Sequence, residues 1–159
     1  MIELSVRQLK NIEIAAAELG RRGNAIAAAV AQSMAEQKSN RDRRDVVAVD
    51  YACLFQLGAD FHQVTGLEIG KAARSITAEH FDQLEASVRK FAENKNAVAK
   101  GIVMAIDRPD SQTPEKRNAI LFASHAQVFQ LLVAMQMAMD SKRDPREVQK
   151  ALTPNPSPN

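Results

Sequence analysis

Tryptophan is absent from this sequence of 159 residues, and tyrosine and cysteine occur once each. The lone thiol, Cys53, cannot close an internal disulfide, and it excludes every multi-cysteine metal knuckle. So few aromatics leave little strand-forming material. Proline is missing from residues 1–108; of its six occurrences three lie in the last six residues, and the others are Pro109, Pro114 and Pro145. Charge of either sign is not in surplus, with 21 Lys and Arg against 19 Asp and Glu. That balance gives no electrostatic footprint for nucleic acid or for an acidic membrane. No basic-then-apolar leader opens the sequence, so a reducing cytoplasm is the expected setting.

The codes of catalysis are missing too. There is no GxxxxGK[ST], GxGxxG, GxSxG or HExxH. No Glu has a His three residues on, the spacing by which helical bundles hold paired metals. His62, His80 and His125 fall on three different expected helices, and their local acidic neighbours read as solvated surface. Neither a metal nor a cofactor is expected. Cys53, on an apolar helix with no facing base, reads as a small buried hydrophobe.

What is abundant is alanine, 26 residues of it, the best helix former. The period is helical throughout. Leu9, Ile12, Ala16, Leu19, Gly23, Ile26, Val30 and Ser33 keep a 3-4 spacing that passes Gly20 and Gly23 unshifted, which predicts one helix over residues 5–38. Two helices hinged at Gly20–Asn24 are the alternative. A polar loop at Lys38–Asp45 then precedes a second helix, with Asp45 as its cap and Val47, Asp50, Leu54, Leu57, Phe61 and Val64 on one face. This helix is expected to end or kink between Thr65 and Ser75, where Gly66 and Gly70 lie. Thr77 caps a third helix, whose ladder Phe81, Leu84, Val88, Phe91, Lys95, Val98, Ile102 and Ala105 runs to Asp107. Thr113-Pro114-Glu115 opens a fourth, running to about Asp140. Residues 144–152 predict a short last helix, and 153–159 a disordered tail.

Four long rods joined by short loops predict an all-α fold: an antiparallel, up-down-up-down four-helix bundle with a short C-terminal helix, one domain over residues 1–152. No internal repeat stands out.

Asn118–Met139 carries no charged residue. It has the length of a membrane span, yet Asn118, Ser124, His125, Gln127, Gln130 and Gln136 are costly in hydrocarbon, so no transmembrane segment is expected. Its apolar arc exceeds what one bundle core needs. The helix is therefore either central or partnered from outside. The expected function is a non-enzymatic interaction protein that forms a homodimer, binds a protein partner through the fourth helix, or does both, with Leu131, Met135, Met137 and Met139 at the contact. A bundle that binds or senses an anionic small molecule is the alternative, and a peripheral lipid- or granule-associated protein is a third reading. For the anion, Lys95 and His125 count to the same depth from the loop at 107–113 and would form a buried cationic layer.

Overall fold

The computed structural model describes residues 4–66 and 76–140, and every element among them is helical. The order is α1 (Val6–Arg21), α2 (Ala25–Ala35), α3 (Asn40–Thr65), α4 (Ala78–Glu93), α5 (Ala97–Ile106), a 3-10 turn η1 (Pro109–Ser111) and α6 (Pro114–Met139). The expected short helix at 144–152 and the tail lie outside the described residues.

The first and third rods are each a helix pair, not a continuous helix. In the first, Gly23 takes φ 101° and Asn24 restarts the helix, its side chain accepting from Ala27 N at 2.9 Å. The turn is sharp. A Cβ placed on Gly20 would fall 2.9 Å from the Ala28 Cα, although residues eight apart along one helix are about 12 Å apart. The backbones of α1 and α2 therefore meet at Gly20, and only glycine fits there. In the second pair Lys95 takes the left-handed φ of 69°, and Asn96 caps α5 by accepting from Ala99 N at 3.0 Å. Heptad register passes both corners because it reports which side is buried, not whether the axis continues.

The two pairs match. Ser5 and Thr77, each the N-cap of a capping box, stand 72 positions apart, as do Gly23 and Lys95, and Asn24 and Asn96. The buried residues Ile12, Ala16, Ala27, Val30 and Met34 recur as Leu84, Val88, Ala99, Ile102 and Ile106. Both α1 and α4 have 16 residues, and both α3 and α6 have 26. Two short stretches of sequence agree as well, at an offset of 72 in the helix pairs and 74 in the long helices. Asn-Ala-Ile-Ala at 24–27 answers Asn-Ala-Val-Ala at 96–99, and Phe-Gln-Leu at 55–57 answers Phe-Gln-Leu at 129–131. Residues 5–65 and 77–139 thus repeat one three-helix arrangement, although no repeat stands out in the sequence.

The long helices begin earlier, or as expected, for simple reasons. Ser39 Oγ accepts from Asp42 N at 3.1 Å, so α3 starts at Asn40 and Asp45 lies inside it instead of capping it. Thr113 Oγ1 accepts from Lys116 N at 3.3 Å and Pro114 opens α6, as the sequence predicts.

The chain divides into two compact units. One takes Met1–Val49 with Val133–Asn159, the other Asp50–Leu132. In the first, Arg43 donates to Gln37 O at 2.9 Å and Arg44 to Leu4 O at 2.7 Å, which ties down the start of α3. Gln8 Nε2 donates to Met139 O, the last residue of α6, at 2.8 Å. In the second, Glu85 bridges Arg89 at 3.1 Å and Arg117 at 2.7 Å, and Arg89 reaches Asp107 at 2.7 Å. Its apolar core includes Leu54, Leu57, Phe61, Leu84, Val88, Ile102, Val128 and Leu132.

Candidate functional site

Within the unit of residues 50–132, α6 places His125 at 1% exposure, one turn beyond Leu121. The imidazole stacks on Phe61 of α3, centroids 5.5 Å apart and planes at 13°, and lies 4.3 Å from the Phe129 ring one turn on. Its Nε2 is 3.4 Å from Thr65 Oγ1, while its Nδ1 has no partner among the described residues. Burial pushes its pKa down to about 4, so the ring is neutral at physiological pH. A neutral imidazole between two phenyl rings is a packing element and a single polar contact; it is not a cation poised for an anion.

Lys95 does not join it. The lysine stands exposed at the left-handed position of the α4–α5 turn, so the buried cationic layer expected of Lys95 and His125 does not form. The seam position that suggested it is a corner.

The methionine face is also placed otherwise. Leu131 and Met135 are fully buried, at 0% exposure, and Met137 and Met139 are half-buried. The wide apolar arc of α6 is largely consumed within the chain, with Leu121, Val128, Phe129, Leu132 and Ala138 buried as well. Helix α6 is long and apolar enough to cross a membrane, but half of its most apolar window is buried. A core helix passes the same test of length and composition.

The exposed apolar side chains lie elsewhere. On α3, Phe55 is 51% exposed and touches Tyr51 one turn back, rings 6.2 Å apart. Ala52 and Ala59 continue that exposed face. On α6, Phe122 is 43% exposed, and on α5 Met104 is 72% exposed. The repeat makes Phe55 informative. Tyr51 and Phe55 stand 74 positions before His125 and Phe129, so the same i,i+4 ring pair occurs in both modules. Phe129 is 3% exposed where Phe55 is 51%. Both rings of the second pair are covered, whereas in the first Tyr51 is half-buried and Phe55 is open.

Asp50 is the other unusual group of α3. It is half-buried, its Oδ2 has no partner among the described residues, and burial raises its pKa to about 6. Asp60 Oδ2 is likewise buried without a partner. Among the described residues no three His, Cys, Asp or Glu side chains gather as a metal site. Cys53 is buried, and its carbonyl accepts from Asn96 Nδ2 at 3.0 Å. Sequence reasoning passed over Phe55; the recurrence of Phe-Gln-Leu was the signal that would have drawn attention to it. Comparisons of the chain with family models, with curated proteins and with solved structures find no match.

Proposed function

We propose that this protein is a non-enzymatic helical interaction protein that self-associates, a second copy of the chain docking on the outer face of α3 around Phe55. The observation that carries the reading is the unequal treatment of one repeated position, Phe129 at 3% exposure and Phe55 at 51%. Both modules retain the aromatic pair, and an aromatic ring left half in water forgoes about 1–2 kcal/mol of burial. The flanking positions Ala52 and Ala59 are small and uncharged, which lets a partner helix approach closely. This moves the expected contact from Leu131 and Met135, which are buried, to α3.

The reading includes an antiparallel pairing of α3 and α6 as the longest rods of a helical bundle. It is supported by the stacking of Phe61, near the end of α3, on His125, in the first half of α6. It also includes a reducing, cytoplasmic setting, with which a single buried thiol is compatible.

The test is solution mass by light scattering at micromolar concentration. The wild type is expected at twice the chain mass, Phe55→Asp at the chain mass, and Met104→Asp, a more exposed control on α5, unchanged from wild type. A monomeric wild type overturns the function, and a dimeric Phe55→Asp overturns the placement of the contact.

A further inference from the structure

Two observations bear on how the chain is held together, independently of its docking face. The first is the duplication, with caps, left-handed turn residues and buried positions repeating at an offset of 72 from Ser5 to Ile106. The second is that the compact units do not coincide with the modules. Residues 50–65 of α3 belong to the first module, yet they fall in the unit whose other helices are α4, α5 and most of α6. Residues 133–139 of α6 belong to the second module, yet they fall in the unit of α1 and α2.

We propose that the chain is a fused pair, two copies of one three-helix module, each of which is the other's binding partner. Leu54, Leu57 and Phe61, at 0, 0 and 1% exposure, are side chains of the first module inside a unit otherwise built from the second. A module by itself has no such surroundings for them, and an unassociated module would leave that apolar row in water.

The polar contacts between modules are specific. Asn96 accepts from Ala99 N with its Oδ1 and donates with its Nδ2 to Cys53 O at 3.0 Å and to Gln56 Oε1 at 3.3 Å. One side chain thus starts α5 of the second module and fastens it to α3 of the first. His125 of the second module stacks on Phe61 of the first and meets Thr65 Oγ1. In the other unit Gln8, at the start of the first module, donates to Met139 O, at the end of the second. Buried apolar rows crossed by a few satisfied amide contacts are the anatomy of a subunit interface. Here it is closed within one polypeptide, where the covalent link supplies an effective concentration in the millimolar range.

The inference is tested on the full chain carrying a protease recognition sequence with flexible flanks inserted between Gly66 and Ile76, cleaved while folded. The two halves are expected to elute together in a 1:1 ratio at micromolar concentration, at the mass of the uncleaved protein and with its helical circular dichroism. In the same cleavable chain, Asn96→Ala is expected to raise the concentration at which the halves part by about tenfold or more, from the lost buried hydrogen bonds. Halves that elute apart after cleavage overturn the proposal, whether or not they stay helical, and so does aggregation on cleavage. Because the readout is fragment composition, the result is independent of docking at Phe55, and Phe55→Asp is expected to keep its halves together.

Discussion

The imidazole of His125 lies nearly parallel to the ring of Phe61, 5.5 Å from it, and is 1% exposed. Burial there lowers its pKa from 6.5 to about 4. The unfolded chain therefore takes up the proton first as pH falls, and stability present above pH 6.5 is lost between 6.5 and 4. Asp50 acts in the opposite direction. Burial raises its pKa from 3.8 to about 6, so the folded chain takes up that proton first and gains stability between pH 6 and 3.8. Each effect amounts to about 3 kcal/mol at most, and in the wild type they largely offset one another. Relative to wild type, His125→Gln should gain stability from pH 7 to 4.5, and Asp50→Asn should lose it over the same range while being the more stable protein at pH 7.5. Urea melts at three pH values measure this. Parallel profiles for all three proteins would show that neither group is shifted.

Asn96 fills two roles with one amide, capping α5 and donating to Cys53 O inside the protein. Its replacement by Ala removes a cap, about 1 kcal/mol, and leaves a buried carbonyl without that donor, about 1–3 kcal/mol more. Asn94→Ala, two residues earlier and exposed, should cost less than about 0.5 kcal/mol. Equal losses in chemical denaturation would remove the buried tie from the account.

Gly20 and Gly101 are both helical glycines, and the sign of their replacement by Ala should differ. A Cβ at Gly20 would sit 2.9 Å from the Ala28 Cα, so Gly20→Ala must push α1 and α2 apart, at a cost of about 2 kcal/mol or more. A Cβ at Gly101 meets nothing within 4 Å, so Gly101→Ala should stabilise by about 0.5–1 kcal/mol through helix propensity alone. Thermal melts of the two variants decide it, and a stabilised Gly20→Ala would contradict the close crossing.

Phe55 and Phe129 occupy one position of the repeat but are not equivalent in burial. Phe129→Ala should destabilise by about 3–5 kcal/mol, the range for an aromatic removed from a core. Phe55→Ala should change the stability of the isolated chain by less than about 1 kcal/mol and appear instead in the dimerisation constant. Comparing urea midpoints with light-scattering titrations separates the two, and comparable losses of stability would place Phe55 in the core.

The helices were readable because each buries one face, and burial on one face imposes a 3-4 apolar spacing whatever the fold around it. Val47, Leu54, Leu57, Phe61, Leu84, Val88 and Ile102 are buried as their spacing predicts, while Asp50, Val64, Phe81, Phe91 and Val98 on the same faces are half-buried. The corners were not readable. Gly23 and Lys95 sit in seam register, and a three-residue turn that keeps the same side inward leaves that register unshifted. Lys95 drew attention as a cation in a core; a left-handed turn residue satisfies the same spacing while facing water.

Local chemistry in the sequence determined the all-helical fold, the caps at Ser5, Thr77 and Thr113, and the start of α6 at Pro114, because each depends on residues within one turn of one another. Only the tertiary structure decided which apolar positions stay buried. Leu131 and Met135 are covered, Phe55 is open and His125 is packed against Phe61, and such outcomes depend on residues many positions away that spacing along one helix does not specify. The duplication stands between the two. The sequence carries it as Asn-Ala-Ile-Ala against Asn-Ala-Val-Ala, but four residues do not specify a corner, and the shared turn of both segments does.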